Sequence, residues 1–174
     1  MDKLGVPESR PYPVIFFELQ GRRWAMGLEW IKEILQARGL GAMPNANQAI
    51  AGLLNVRGEV LPVLKGAEIL INKAAQDISL DLQAQQSDKE KRVVLIGTHG
   101  ASLGLMVDSV LKIGSFDIDT AGRGDLLERG GAPMWWKGDF ALRMSLDKDG
   151  IPVPLLNVAR LMEYVKDMNR PGPA

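Results

Sequence analysis

Apolar and branched runs broken by short polar turns set the pattern of this chain. "VIFFELQGRRWAMGL", residues 14–28, reads as two strands about a tight turn at Gln20 to Arg22, since its aromatic and branched residues suit a sheet. "EWIKEIL" follows with apolar residues at 30, 31, 34 and 35, a spacing that predicts one or two helical turns rather than strand alternation. "ARGLGAMPNANQ" reads as loop. "IAGLLNVRGEVLPVL", residues 50–64, then sets the polar interruption Asn55 to Glu59 between two apolar segments, a strand, a turn and a strand. The turn needs Gly58, whose missing Cβ permits angles that strain other residues, but it does not need Arg57. "GAEILINKAAQ" predicts a short helix, and residues 72–90, polar and poor in aromatics, read as a linker.

The pattern then starts again in "RVVLIGTHGASLGLMVDSVLKIG". Gly21, Trp24, Met26, Leu28, Glu29, Ile31 and Ile34 match Gly100, Leu103, Leu105, Val107, Asp108, Val110 and Ile113 at a constant offset of 79. "PVLKGAEIL" at 62–70 matches "PLLNVARLM" at 154–162 at an offset of 92. Two copies are too few for a solenoid, so the repeat implies two similar β-rich units packed together, with chance alignment as the competing reading. Paired strands of this length suggest small barrels, because closing a sheet removes its edges. "DKDG" at 147–150 marks the last hairpin turn, and "NVARLMEYVKDM" at 157–168 is amphipathic, with Val158, Leu161, Met162 and Val165 on one helical face.

Composition narrows the function. The 174 residues suffice for one domain or two small, closely packed subdomains, and each sign of charge numbers 21. Neither half is basic, which argues against nucleic acid as the main partner. The absence of cysteine removes disulfides, thiolate chemistry and cysteine-containing zinc sites, and a single histidine, His99, cannot form a histidine cluster for a metal. No signal-like apolar core opens the chain, and no apolar run approaches the roughly 20 residues of a membrane-spanning helix, so the cytoplasm is the expected location.

Candidate chemistry is thin. His99 lies in "GTHG", where glycines mark a hairpin turn, and an exposed turn histidine is the better reading than a catalytic one. Asp117 and Asp119 would share a strand face, a geometry compatible with paired-carboxylate chemistry and equally with a solvated surface. "DKDG" lacks the closing glutamate of a calcium loop, and "GRGD" at 122–125 lacks the Lys-Ser/Thr of a phosphate loop. Of Trp135 and Trp136, strand alternation turns one inward.

"MPNANQAIAGLLNVRGEVLPVL", "RVVLIGTHGASLGLMVDSVLKIG", "MWWKGDF" and "PVPLLNVARLM", in that order, resemble the CheW-like domain of bacterial chemotaxis coupling proteins over about residues 13–166. Pro44, Gly52, Asn55, Arg57, Gly58 and Pro62 fit the first family block, and Gly104, Val107, Asp108 and Val110 the second. The resemblance implies a mainly β fold of two SH3-like five-stranded β-barrel subdomains with a groove between them. It divides one domain, residues 11–168, into a first subdomain at about 13–71, the linker at 72–90, a second subdomain at about 91–156 and the helix 157–168, with flexible tails at 1–10 and 169–174.

The resemblance implies a non-catalytic adaptor that needs no cofactor or metal. Its expected partners are the regulatory domain of a CheA-type histidine kinase, the cytoplasmic tip of a methyl-accepting chemoreceptor and other CheW-like proteins, with no nucleic acid and no insertion into a membrane. Recruitment to receptor arrays or a cell pole follows from those partners. Ile31, Glu33, Gly52, Arg57, Gly104, Val110 and Gly138 fall at family partner-contact positions, and Asn55, Val60 and Asp108 come from the same two blocks. The chain departs from the family at Lys65, Gly66 and Ala67, where an Asp-hydrophobic-basic run is usual, and at Asn157, where aspartate is frequent. Those departures, with the linker and the glycine-rich loop at 122–132, leave open a divergent scaffold for a pilus, gliding or polarity pathway. A small β enzyme using Asp117 and Asp119 is the remote alternative.

Overall fold

The structure, a computed structural model, describes residues 11–71, 91–98, 101–116, 140–146 and 149–168. Five strands come from the first half: β1 (Tyr12–Leu19), β2 (Arg22–Gly27), β3 (Ile31–Gln36), β4 (Ile50–Val56) and β5 (Glu59–Lys65), followed by the short helix α1 (Gly66–Leu70). The second half gives β6 (Arg92–Thr98), β7 (Ala101–Val107), β8 (Ser109–Phe116), β9 (Ala141–Leu146), β10 (Pro152–Leu156) and the helix α2 (Val158–Met168). These strands form two five-stranded sheets, sheet A in the order β8-β1-β2-β10-β9 and sheet B in the order β3-β6-β7-β5-β4.

Strand alternation gives each sheet two apolar faces. On β1, Ile15, Phe17 and Leu19 enter a core shared with Val94, Ile96, Leu103 and Leu105 of sheet B, and both helices pack into it. Val14 belongs instead to a second cluster with Ala25, Phe116, Val153 and Leu155 of sheet A. Sheet B has its own counterpart in Leu54, Leu61, Val63, Val93 and Leu95. The apolar runs are therefore near-continuous because both faces of the strands are covered.

The repeat is real, and the pairing follows it residue for residue. In sheet A the β1–β8 register steps from Phe17↔Val110 to Phe16↔Lys112, a bulge at Leu111; in sheet B the β6–β3 register steps from Ile96↔Ile31 to Leu95↔Glu33, a bulge at Lys32. All four pairs of equivalent positions stand 79 residues apart. The two parallel contacts correspond as well: Leu155↔Ala25 in sheet A and Val63↔Gly104 in sheet B, at the offsets 92 and 79.

Two expectations need correction. "EWIKEIL" is not helical beyond the single 3-10 turn Leu28–Trp30; it continues as β3. The bulge at Lys32 brings Ile31 and Ile34 opposite Ile96 and Val94, two residues of the shared core, so one strand face shows the three-residue spacing of a helix. The division into sequential subdomains at 13–71 and 91–156 also differs from the sheets, each of which mixes strands from both halves. The repeat marks equivalent positions but carries no information on which copy pairs with which. The linker, both tails, the 122–132 loop, His99, Asp117, Asp119, Trp135, Trp136 and Gly138 lie outside the described residues.

Candidate functional site

The β4–β5 hairpin ends in a two-residue turn, because Val56 pairs with Glu59 and leaves Arg57 and Gly58 between them. Both have positive φ, +53° and +90°, as a turn matching the right-handed twist of the strands requires. The Asn55 side chain accepts a hydrogen bond from the Gly58 N–H at 2.9 Å and so shapes the turn. The left-handed region costs a residue with a Cβ about 1 kcal/mol or more. Arg57 bears that cost although Asn or Gly would suit the position better.

From this tip the Arg57 guanidinium reaches β3, where its Nη2 donates to Glu33 Oε2 at 3.3 Å. The arginine side chain is 84% exposed, and a pair this open contributes at most about 1 kcal/mol. Stability therefore does not account for the arginine. The pair does fix a charged fork on the outside of sheet B, and it ties the β4–β5 tip to the opposite edge strand. Val60, paired with Asn55 beside the tip, adds an apolar side chain that is 58% exposed.

The second feature is apolar. β3 and β8 are edge strands at equivalent places in the two sheets. Ile31 and Val110, half-buried against the shared core, and Ile34 and Ile113 face the same way as their cross-strand partners in that core. Ile34 is 40% exposed and Ile113 71%, so each edge carries an apolar rim from shared core to surface. In the sequence Ile113 is only a matched position of the repeat, and Ile34 is that and one apolar position of a helical spacing; their exposure depends on edge position, which periodicity does not encode.

Three other expected positions serve the fold. A Cβ on Gly52 would stand 2.6 Å from the Gly41 carbonyl oxygen, at the place where the backbone of residue 41, downstream of β3, exchanges two hydrogen bonds with Leu53 of β4. A Cβ on Gly104 would meet Val93 at 2.7 Å and Val63 at 3.0 Å inside sheet B. Asp108 accepts a hydrogen bond from the Gln20 N–H at 2.5 Å while its own N–H donates to the Glu18 carbonyl at 3.0 Å, so it pins the β1–β2 turn of sheet A to the β7–β8 corner. The structure thus joins Glu33 to Arg57, sets Asn55 and Val60 beside the same hairpin tip, and places Ile31 and Val110 on the two edges.

Among the described residues, no group of three or more His, Cys, Asp or Glu is placed to hold a metal ion, and no helix is long and apolar enough to cross a membrane.

A family model described as the CheW-like domain matches residues 13–166. The chemotaxis protein CheW of Thermotoga maritima is 26% identical over 104 residues, covering 60% of this chain and 62% of that protein. The aligned region is thus less than two thirds of that relative's length. The crystal structure of the scaffolding protein TtCheW from Thermoanaerobacter tengcongensis superposes with a TM-score of 0.67 at 15% identity, covering 87% of each chain. That likeness is one of fold.

Proposed function

The chain belongs to the CheW-like domain family, a family of non-catalytic scaffolds, and from that premise we propose that it couples the regulatory domain of a CheA-type histidine kinase to the cytoplasmic tip of a chemoreceptor. The observation that carries the reading is Arg57: an exposed arginine held in a strained turn conformation, on a protein whose stability gains little from it. A guanidinium so fixed loses little freedom on meeting a carboxylate or a backbone carbonyl, and its planar donors suit an interface better than a lysine. The apolar rims on β3 and β8 fit the second requirement, a surface on which the apolar face of a helix can lie.

Ile31, Glu33, Arg57, Val60 and Val110 are proposed as the contact positions, with Gly52, Asn55, Gly104 and Asp108 acting through the fold that presents them. Gly138 stays in the proposal on the family resemblance alone. The proposed location is the cytoplasmic side of a receptor array. The test is a binding titration against kinase regulatory domain and receptor tip. Arg57→Glu is expected to weaken at least one complex more than tenfold, about 1.4 kcal/mol, with the thermal midpoint close to wild type. The charge-swapped pair Glu33→Arg with Arg57→Glu restores the internal ion pair; if it also restored binding, the arginine would be structural and the reading would fail.

The run Lys65-Gly66-Ala67 favours a second reading, a scaffold that has kept the fold and changed partners. Gly66 is buried, with the Met106 carbonyl oxygen 2.6 Å and a Leu19 methyl 2.9 Å from where a Cβ would stand, so the family's hydrophobic side chain has no room there. Joint capture of kinase and receptor from the native cell would reject this version.

A further inference from the structure

Sorting the strand pairs by half shows how the two copies are held. Among the described residues, the strand pairs within 11–71 are the hairpins β1–β2 and β4–β5, beside the Gly41↔Leu53 bridge, and those within 91–168 are the hairpins β6–β7 and β9–β10. Every other strand pair among the described residues, β1–β8, β2–β10, β3–β6 and β5–β7, joins one half to the other. The shared core is divided in the same way, with Phe17, Trp24 and Met26 from the first half against Ile96, Leu103 and Leu105 from the second.

We propose that residues 11–71 and 91–168 are complementary pieces, each the binding partner of the other, and that their strand pairing and shared core hold them together without the peptide connection. Neither half makes a sheet alone, because isolated hairpins are marginal in water. Together they complete two five-stranded sheets and bury a common core. The connection contributes effective concentration, so cutting it turns an intramolecular association into a bimolecular one.

The experiment inserts a site for a specific protease between residues 72 and 90 of the full chain and cuts the folded protein. The two pieces are expected to co-elute at the mass of the uncut chain and to unfold in one cooperative transition. Its midpoint then depends on concentration, falling about 3–6 °C per tenfold dilution, whereas the midpoint of the uncut chain stays constant. Separation of the pieces in native buffer, or loss of the cooperative transition on cutting, would overturn the proposal. Failure of the uncut, site-bearing chain to fold would do the same, because it would make the connection part of the fold.

Discussion

Arg57 is where local backbone preference and the proposed contact role part company. The sequence places it at the tip of a hairpin and assigns the turn's demand to Gly58; the structure shows that both central residues take positive φ. The two-residue spacing between Val56 and Glu59 held that information, because such turns need left-handed geometry twice and select Asn-Gly above other pairs. Arg57→Asn should therefore raise stability by about 0.5–1 kcal/mol while weakening the partner complex. Equilibrium unfolding and a binding titration on the same preparation check both. A variant that lost stability and kept its affinity would reverse the assignment.

Whole elements were legible where alternation was regular and hidden where a bulge broke it. β1, β2, β4 and β5 stand where the apolar runs put them, and α1 and α2 fall within the predicted helices. β3 was misread because the bulge at Lys32 shifts the phase of the strand, and a one-residue insertion in an alternating pattern is indistinguishable from a helical spacing over so short a stretch. The edge character of β3 and β8 was invisible, since it depends on which strands the fold places beside them.

An apolar residue at a rim contributes little to the core, so Ile113→Asp on β8 should change stability by less than about 1 kcal/mol and lower affinity for a helical partner more than tenfold, as read by calorimetry. At the start of α1, Lys65 has the extended φ and ψ of a capping residue, −78° and 104°, but makes no side-chain cap; Asn157 caps the first turn of α2 through the Arg160 N–H at 3.0 Å. Lys65→Asp should supply the missing acceptor and raise stability by about 0.5–1 kcal/mol, measured as a shift of the denaturant midpoint at constant slope.

At the scale of the molecule, the internal repeat carried the deepest information and also misled. It identified equivalent positions, including the bulges and the parallel contacts, yet a reader dividing the chain in the middle obtains two sequential units instead of two interleaved sheets. Asp108 shows what that arrangement asks of single residues, since at the corner where the chain passes from sheet B to sheet A its carboxylate holds the β1–β2 turn of sheet A. Asp108→Ala leaves the Gln20 N–H without its partner and should cost about 1–3 kcal/mol. Affinity per folded molecule, measured well below the unfolding temperature, should stay within threefold of wild type. A larger loss at full foldedness would return Asp108 to the contact surface.

The interleaving also fixes a timetable for synthesis. While the first half leaves the ribosome, the strand pairs open to its described residues are the hairpins β1–β2 and β4–β5, the latter bridged to Gly41. Sheet B gains its last strand when Val107 emerges, and sheet A must wait for Leu156. At about 5–20 residues per second, the nascent β1–β2 hairpin trails its apolar residues through the cell for several seconds, which makes chaperone capture during translation a foreseeable demand of this topology.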